Sequence, residues 1–231
     1  MTIFNRVKPC CEILDDATLA TYYNFDTNPT IIDSGPNSLS SLSYNVSYTA
    51  SSHLSDAISF NGNTSYIQIS YLMGLGITNK AFSISLWIRP YSLVGTLVFV
   101  ENGTASSLWC IPFLGFAANG SLVAQIWVGG IRVVFGPLLS TSSVWHHIVQ
   151  TWSSTNRLRL FVNNTLVAVN TLATPYTASG QPNNIRIGNR PINSCAQGSV
   201  PYPSSYHGDI DDFRIYSREL TVNDVSALYN Y

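Results

Sequence analysis

The chain has 231 residues, of which 45% are hydrophobic and only 10% are Asp, Glu, Lys or Arg, whereas about a quarter of the residues in an average globular protein are charged. Eleven basic and 12 acidic side chains give a net charge of −1. No run of Lys or Arg could neutralise several phosphates, so the composition argues against nucleic acid as a partner. No segment has the about 18 consecutive apolar residues that a membrane-spanning helix requires, so we expect no membrane insertion by this chain.

Residues 1–19 are predicted to be a lead-in segment or linker, and residues 20–231 to be one domain, because a chain of this length can bury a sizeable single core. The first residues lack the apolar stretch and the small-residue cleavage site of a secretory signal. If the protein is extracellular, we therefore expect the sequence to be an excerpt from a longer chain.

Short segments in which apolar and polar residues alternate dominate the domain. In FSISLWIRP, residues 82–90, four apolar side chains face one way, and Trp87 and its polar neighbours face the other, which is the period of a half-buried strand. Two alternating runs flank Asn-Gly-Asn at 61–63 and two more flank Asn-Asn at 163–164, and each set predicts a β-hairpin because Asn and Gly tolerate positive φ. Further strands are predicted at 95–101, 109–118, 121–129, 131–136, 145–153, 184–189 and 210–217.

One helix is predicted, at the end of the chain. Thr221 can cap its N-terminus, Asp224 stands at the third helical position, and Leu220 can pack against Val225, with Leu228 continuing the apolar face. Many short strands without helices between them favour an all-β fold, a two-sheet antiparallel β-sandwich.

In their order and spacing, these segments resemble the laminin-G-like domains of the concanavalin A-like lectin/glucanase superfamily. The resemblance is carried by YYNFDTNPTIIDSGPNSL (22–39), AISFNGNTSYIQI (57–69), AFSISLWIRP (81–90), WHHIVQTWSSTNRLRLFVNNTLV (145–167), NIRIGN (184–189) and GDIDDFRIYSRELTVNDVSALY (208–229). It implies a jelly roll over residues 20–231, built from two antiparallel sheets and a short C-terminal helix. Members of the superfamily bind glycans or proteins, and some branches hydrolyse polysaccharides, so the resemblance leaves the function open.

The sequence offers no catalytic pattern, and we predict no catalytic residues. Glycosidases need two facing carboxylates, but the chain has only three glutamates, in unrelated segments, and lacks the Glu-x-Asp-x-x-Glu strand of the glucanase branch. No Gly-x-Ser-x-Gly elbow occurs. His146 and His147 fall on opposite faces of one strand, so we expect one packed and one exposed histidine rather than a zinc site.

A structural calcium ion is implied by the resemblance, between an early Asp-Ser-Gly loop and the last strand. The matching positions here are Asp33, Asn37 and Asp211, which would supply carboxylate and amide oxygens to a hard cation.

The strand period alone also predicts where the three aspartates in GDIDDFRIYSREL, residues 208–220, are placed. Asp211 shares its parity with Phe213 and Ile215, which we expect in the core, so its carboxylate would need a cation or several N–H donors. Asp209 and Asp212 are expected at the strand end and on the surface.

Exposed aromatic side chains are the ligand-binding candidates, because their rings stack on the apolar faces of sugars. Packing within the sandwich is the alternative for each of them. The segment 191–206, with Cys195 and three prolines, is predicted to be a loop that caps the sandwich or binds a ligand. The candidate ligand-binding residues are Trp87, Trp127, Trp152, Tyr202 and Tyr206.

Sequons and cysteines indicate the compartment. Four cysteines, Cys10, Cys11, Cys110 and Cys195, permit three pairings, and a bond between the adjacent pair is strained, so we predict a tether from that pair to Cys110 or Cys195. Free buried thiols in a reducing compartment are the alternative. Five Asn-x-Ser/Thr sequons favour a glycoprotein at the cell surface or outside the cell; they lie at Asn45, Asn63, Asn102, Asn119 and Asn163.

These observations together predict a non-catalytic extracellular recognition module, part of a larger secreted or cell-surface protein, whose partner is a glycan or an extracellular protein. The alternatives are a polysaccharide-active enzyme of the same fold and a structural adhesion or spacer domain.

Overall fold

Alternating segments of the sequence form β-strands in the computed structural model, which describes residues 18–50, 53, 55–102, 109–189, 198–202 and 204–231. Two short helical elements accompany them, a 3₁₀ turn at Gly74–Gly76 and an α-helix, α1, at Val222–Tyr229. The strands are β1 Leu19–Tyr23, β2 Ser41–Tyr44, β3 Ser47–Thr49, β4 Ala57–Asn61, β5 Tyr66–Leu72, β6 Phe82–Pro90, β7 Thr96–Asn102, β8 Cys110–Phe116, β9 Leu122–Trp127, β10 Ile131–Phe135, β11 His146–Ser153, β12 Arg157–Val162, β13 Thr165–Asn170, β14 Asn183–Ile187 and β15 His207–Tyr216.

The strands form two antiparallel sheets. An eight-stranded sheet has the order β13-β12-β11-β6-β15-β4-β3, and β1 also pairs with β15, with Leu19 opposite Tyr216. A seven-stranded sheet has the order β10-β9-β8-β7-β14-β5-β2. Consecutive strands pair at the ends of the sheets, as in β10-β9-β8-β7 and β13-β12-β11, whereas strands far apart in the sequence pair in the middle, as in β6-β15 and β7-β14. This combination is consistent with a jelly roll. The predicted all-β sandwich is confirmed.

The core lies between the two sheets and is filled mainly by alternate residues of the inner strands. Ile84, Leu86 and Ile88 of β6 are fully buried, as are Ile185 and Ile187 of β14. Burying each such side chain stabilises the folded state by about 1.5–3 kcal/mol relative to leaving it exposed. The intervening residues face outwards from the sandwich.

Of the two predicted hairpins, only one forms. β12 and β13 pair directly, and Asn163 (φ 48) and Asn164 (φ 62) take the positive φ values that their turn requires. The hairpin predicted around 61–63 is wrong, because β4 belongs to the eight-stranded sheet and β5 to the seven-stranded sheet. The Asn61 side-chain oxygen accepts from the N–H groups of Asn63 (2.9 Å) and Thr64 (3.0 Å), so it closes a loop that crosses between the sheets.

The C-terminal helix begins as predicted. Thr221 is the N-cap, and its hydroxyl and the Asp224 carboxylate form a reciprocal capping box. Leu220, Val225 and Leu228 are buried in a second apolar cluster, which includes Val149, Phe161 and Tyr216 on the outer face of the eight-stranded sheet. The helix therefore covers that face. No helix within the described ranges is long and apolar enough to cross a membrane.

Candidate functional site

The outer face of the seven-stranded sheet carries a cluster of polar and aromatic side chains where β2, β5, β14 and β7 lie side by side. In β5, β14 and β7, alternate residues are core isoleucines and valines, so the residues between them point away from the core. Tyr44 lies opposite Tyr66, Gln68 opposite Arg186, and Asn184 opposite Glu101. We call Tyr44, Tyr66, Gln68, Glu101, Asn184 and Arg186 the outer cluster.

The Arg186 guanidinium is held by two neighbours on β5. Its central carbon lies 4.2 Å from the centre of the Tyr66 ring, a cation–π contact. Its Nη2 donates to Gln68 Oε1 at 2.9 Å. Its Nε is buried without a hydrogen-bond partner in the part of the chain that the structure describes. Because a guanidinium has five N–H donors, this fixed group keeps hydrogen-bonding capacity for a ligand.

Tyr44 provides an open aromatic surface at the edge of the sheet. It stacks on Tyr66 with 5.7 Å between ring centres, and 52% of Tyr44 remains exposed. Tyr66 is half-buried between Tyr44 and Arg186. Tyr66 therefore positions its neighbours, while Tyr44 can contact an apolar sugar face directly.

Glu101 and Asn184 add acceptor and amide groups beside the guanidinium. Both are half-buried. Burial raises the pKa of the Glu101 carboxyl, and the charge of the nearby Arg186 acts in the opposite direction. Phe99, which lies opposite Arg186 on β7, is fully buried in contact with Cys110 and closes the cluster on that side.

Sequence reasoning missed the outer cluster. The alternation of Tyr66 and Gln68 with Ile67 and Ile69 shows that these side chains face outwards, and the same holds for Arg186 between two isoleucines. The pairing of β2, β5 and β14, which brings them together, leaves no local signal in the sequence.

Two of the aromatic candidates from the sequence lie in the core. Trp152 and Tyr206 are fully buried, so their prediction as exposed ligand-binding residues is wrong. Trp152 packs against Phe82 and Tyr176, and its Nε1 donates to the Ala173 carbonyl at 2.7 Å. The strand period puts Trp152 on the same side as Ile148, which faces the core.

Trp87 faces outwards as predicted but is only 5% exposed. His53 stacks on its ring at 3.6 Å and Tyr229 of α1 at 5.6 Å. Its prediction as an exposed ligand contact is therefore wrong, because the side chains of Tyr229 and His53 cover it. Trp127 and Tyr202 are half-buried, and their role in binding stays a prediction.

His146 and His147 lie on opposite sides of β11, as predicted, but both are buried. The expectation that one is exposed is wrong. His147 Nε2 lies 2.8 Å from Ser85 Oγ, and His146 Nε2 lies 3.0 Å from the Ser140 carbonyl. Burial, together with the charge of Arg214, lowers the pKa of His147 to about 3. The buried imidazole is therefore neutral at physiological pH.

Asp209 is fully buried rather than at a solvated strand end. Its Oδ2 accepts from Arg89 Nε at 2.8 Å and from the Tyr91 hydroxyl at 2.6 Å. Arg89 lies directly opposite Asp209 on β6, so the pair is a cross-strand ion pair. The prediction of a surface position failed because a polar sequence does not reveal that neighbouring strands cover it.

A β-bulge after Asp211 reverses the strand period. Asp212 has φ 50, and the pairing of β15 with β6 shifts between Asp211 and Arg214. Asp211 therefore lies opposite Trp87 on the outer side, whereas Phe213 faces the core, and the prediction that they share a face is wrong.

Both carboxylates at the bulge are buried, which also corrects the expected surface position of Asp212. Asp211 accepts from the backbone N–H groups of His53 (3.2 Å) and Asp212 (2.7 Å). Burial and the charge of Asp212 raise the pKa of Asp211 to about 7. Asp212 Oδ1 accepts from the Tyr22 hydroxyl at 2.7 Å and pairs with Arg214 at 3.2 Å.

The three predicted calcium ligands have separate roles in the structure. Asp33 accepts from the backbone N–H groups of Tyr22, Gly35 and Leu39 at 2.8–2.9 Å, which organises its own loop. Asn37 is exposed and donates to the Ala20 carbonyl at 2.8 Å. Within the described residues, no three His, Cys, Asp or Glu side chains come close enough to hold a metal ion. Calcium binding stays a prediction.

The predicted sequons differ in exposure. Asn45, Asn63 and Asn119 are exposed, whereas Asn163 is half-buried and its Oδ1 accepts from His147 N at 2.9 Å. Asn102 is only 6% exposed, so an attached sugar would have to displace its surroundings.

Three of the four cysteines, Cys10, Cys11 and Cys195, lie outside the described residues. Cys110 begins β8, is buried, and takes part in a disulfide whose other half lies among those three. The pairing stays a prediction, as do the segment 1–17 and most of the loop at 191–206.

The fold and the sequence define the family. The family model Laminin_G_3, of the concanavalin A-like lectin/glucanases superfamily, matches residues 61–226, which is more than half of the chain. The chain belongs to this superfamily. No curated protein matches its sequence.

Solved structures share the fold at low sequence identity. The binding domain of Paraclostridial Mosquitocidal Protein 1 is 18% identical, with a TM-score of 0.69, over 93% of this chain and 52% of that one. The binding domain of botulinum neurotoxin DC, solved with rat synaptotagmin II, is 16% identical, with a TM-score of 0.65, over 94% and 52%. This chain therefore spans about half the length of these two toxin domains.

A third similar structure has about the same length as this chain. Domain 4 of AbnA, an extracellular arabinanase from Geobacillus stearothermophilus, was solved with arabinotriose. It is 19% identical to this chain, with a TM-score of 0.62, over 93% of this chain and 99% of that domain. At these identities the likeness concerns the fold.

Proposed function

We propose that the chain is a non-catalytic recognition module that binds a glycan through the outer cluster, as part of a larger secreted or cell-surface protein. The observation that carries the proposal is the Arg186 guanidinium, which Tyr66 and Gln68 hold in place, with the open ring of Tyr44 stacked on Tyr66. A fixed donor group and an exposed aromatic ring on one surface are suited to an oligosaccharide, whose units present hydroxyls and apolar faces.

The similar structures support a binding role without selecting the ligand. One was solved with arabinotriose and another with a synaptotagmin, so related folds are known with a sugar and with a protein bound. Protein binding is the second candidate function for this chain. A protein partner would use a larger area than one sugar, extending onto exposed residues beyond the outer cluster such as Leu42.

A polysaccharide-active enzyme would need a second carboxylate facing the first. Glu101 is on the outer face of the seven-stranded sheet, whereas Glu219 pairs with Arg159 beside the eight-stranded sheet. The two glutamates that the structure describes are thus on opposite sides of the sandwich, which supports the non-catalytic proposal. The three aspartate carboxylates of β15 already accept hydrogen bonds from Arg89, Tyr22 and backbone N–H groups.

The experiment is a glycan array with the full chain, followed by calorimetry with any oligosaccharide that binds. Tyr44→Ala should weaken binding by about tenfold, because the exposed ring is lost while the fold is kept. Phe135→Ala is the matched control, since Phe135 is 51% exposed at the opposite edge of the same sheet.

Binding that Phe135→Ala abolishes and Tyr44→Ala leaves unchanged would place the ligand elsewhere. A silent array, together with a protein partner whose binding Tyr44→Ala weakens, would favour the second candidate function. Release of shorter sugars from a bound polysaccharide would show that the protein is an enzyme and contradict the non-catalytic proposal.

A further inference from the structure

The strands that carry the outer cluster contain one positive and one negative side chain. β2 (SLSY) and β5 (YIQISYL) have no charged residue, β14 (NNIRI) has Arg186, and β7 (TLVFVEN) has Glu101. The cluster therefore carries one charge of each sign, and both charged residues are half-buried.

The register places the two charges on a diagonal. Glu101 lies opposite Asn184, and Arg186 is two residues further along the same strand. The backbones of diagonal neighbours on one face of a sheet are roughly 7–8 Å apart, and their Cβ atoms are somewhat closer. Arg186 and Glu101 form no ion pair in the described structure, since the guanidinium is turned towards Tyr66 and Gln68. Each charged group thus keeps capacity to bond a ligand placed between them.

We propose that the outer cluster selects uncharged oligosaccharides, by binding neighbouring hydroxyls of one sugar unit between Glu101 and Arg186 while Tyr44, beyond Tyr66 on the edge strand, contacts the ring of another unit. This inference rests on the proposed function and names its ligand class. A hydroxyl both donates and accepts, so one hydroxyl can donate to the Glu101 carboxylate while its neighbour accepts from the Arg186 guanidinium. Hydrogen bonds to charged groups are stronger than those between neutral groups.

An acidic sugar fits this arrangement less well. Its carboxylate or sulfate would be attracted by Arg186 but repelled by Glu101, and both charges act through a partly desolvated surface where screening is weak. The two effects oppose each other, so a negative charge on the ligand gains little. Asn184, which is opposite Glu101, adds an uncharged donor and acceptor to the same surface.

The test compares hexose oligosaccharides with the matching hexuronic acid oligosaccharides, using calorimetry on the full chain. The hexose oligomers should bind more tightly, and their affinity should change little between about 0.1 M and about 1 M salt. Arg186→Gln should weaken their binding about tenfold or more. Glu101→Gln should also weaken it, and should improve binding of the hexuronic acid oligomers because the repulsive charge is gone.

The matched control is Arg132→Gln, because Arg132 is an exposed arginine on β10 at the opposite edge of the same sheet. It should leave both affinities unchanged. Tighter binding of the hexuronic acid oligomers, weakening with salt and lost in Arg186→Gln, would overturn this inference and leave glycan recognition intact. If neither series binds and the wider array is silent, the proposed function fails and this inference fails with it.

Discussion

Arg89 and Asp209 form a buried ion pair that joins the two central strands of the eight-stranded sheet. The distance from Arg89 Nη2 to Asp209 Oδ2 is 2.6 Å, and the Asp209 side chain is fully inaccessible while that of Arg89 is 13% exposed. The guanidinium also lies 5.1 Å from the Trp145 ring. Among the described residues, the Asp209 charge is compensated by Arg89 and the Tyr91 hydroxyl.

Arg89→Met should destabilise the fold by about 3–5 kcal/mol, because it leaves the Asp209 carboxylate buried without its cation. Urea denaturation measures the loss. Arg218→Met is the control, since the Arg218–Asp224 pair is more exposed and should contribute about 1 kcal/mol or less. Equal losses in the two variants would mean that burial does not set the strength of the Arg89–Asp209 pair.

The buried carboxyl of Asp211 should make the protein less stable as the pH rises. Its folded pKa is about 7, against an ordinary value of 3.8, so the folded state binds a proton that the unfolded state has released between these values. Stability from this group is complete below about pH 4 and is lost towards about pH 7, by about 4 kcal/mol at most. Asp211→Asn should remove this loss, which urea denaturation across that pH range measures. A variant with the same pH dependence as the natural protein would contradict the assignment.

The buried imidazole of His147 should have the opposite effect and make the protein less stable as the pH falls. Its folded pKa is about 3, against an ordinary value of 6.5, so only the unfolded state binds a proton between these values. Stability from His147 is complete above about pH 6.5 and is lost as the pH falls towards about 3. His147→Gln, which can still bond Ser85, should make the protein less sensitive to acid. Comparing its unfolding curves with those of Asp211→Asn separates the two opposing contributions, and an unchanged acid sensitivity would exclude His147 as its source.

Chelation tests the predicted calcium site. If Asp33, Asn37 and Asp211 hold an ion, a chelator should lower the melting temperature, and Asp211→Asn should lose most of that response. The melting curve of the natural protein with and without chelator is the measurement. Identical curves would contradict calcium binding by these residues, and the carboxylates of Asp33 and Asp211 would then be satisfied by the backbone N–H groups seen in the described structure.

Local sequence patterns predicted most elements of the fold. Alternation at 82–90 gives both the extent of β6 and the side that faces the core. Thr221 and Asp224 likewise indicate the start of α1, because a capping box needs only residues three apart.

Patterns that depend on distant partners could not be predicted in this way. The turn at 61–63 is encoded locally, but the placement of β4 and β5 in different sheets depends on strands far along the chain. At Asp212 one residue with positive φ reverses the period, and nothing in the run of aspartates reveals it. The outer cluster likewise depends on the pairing of β2, β5 and β14, so its residues are visible in the sequence but their proximity is not.

The pairing of Leu19 with Tyr216 has a consequence for how the domain would sit in a longer polypeptide. The chain enters and leaves the sandwich at adjacent points on the eight-stranded sheet, where α1 also packs. The outer cluster is on the other sheet. The described chain therefore begins and ends at the eight-stranded sheet, whereas Tyr44 and Arg186 belong to the seven-stranded sheet and are free of that junction.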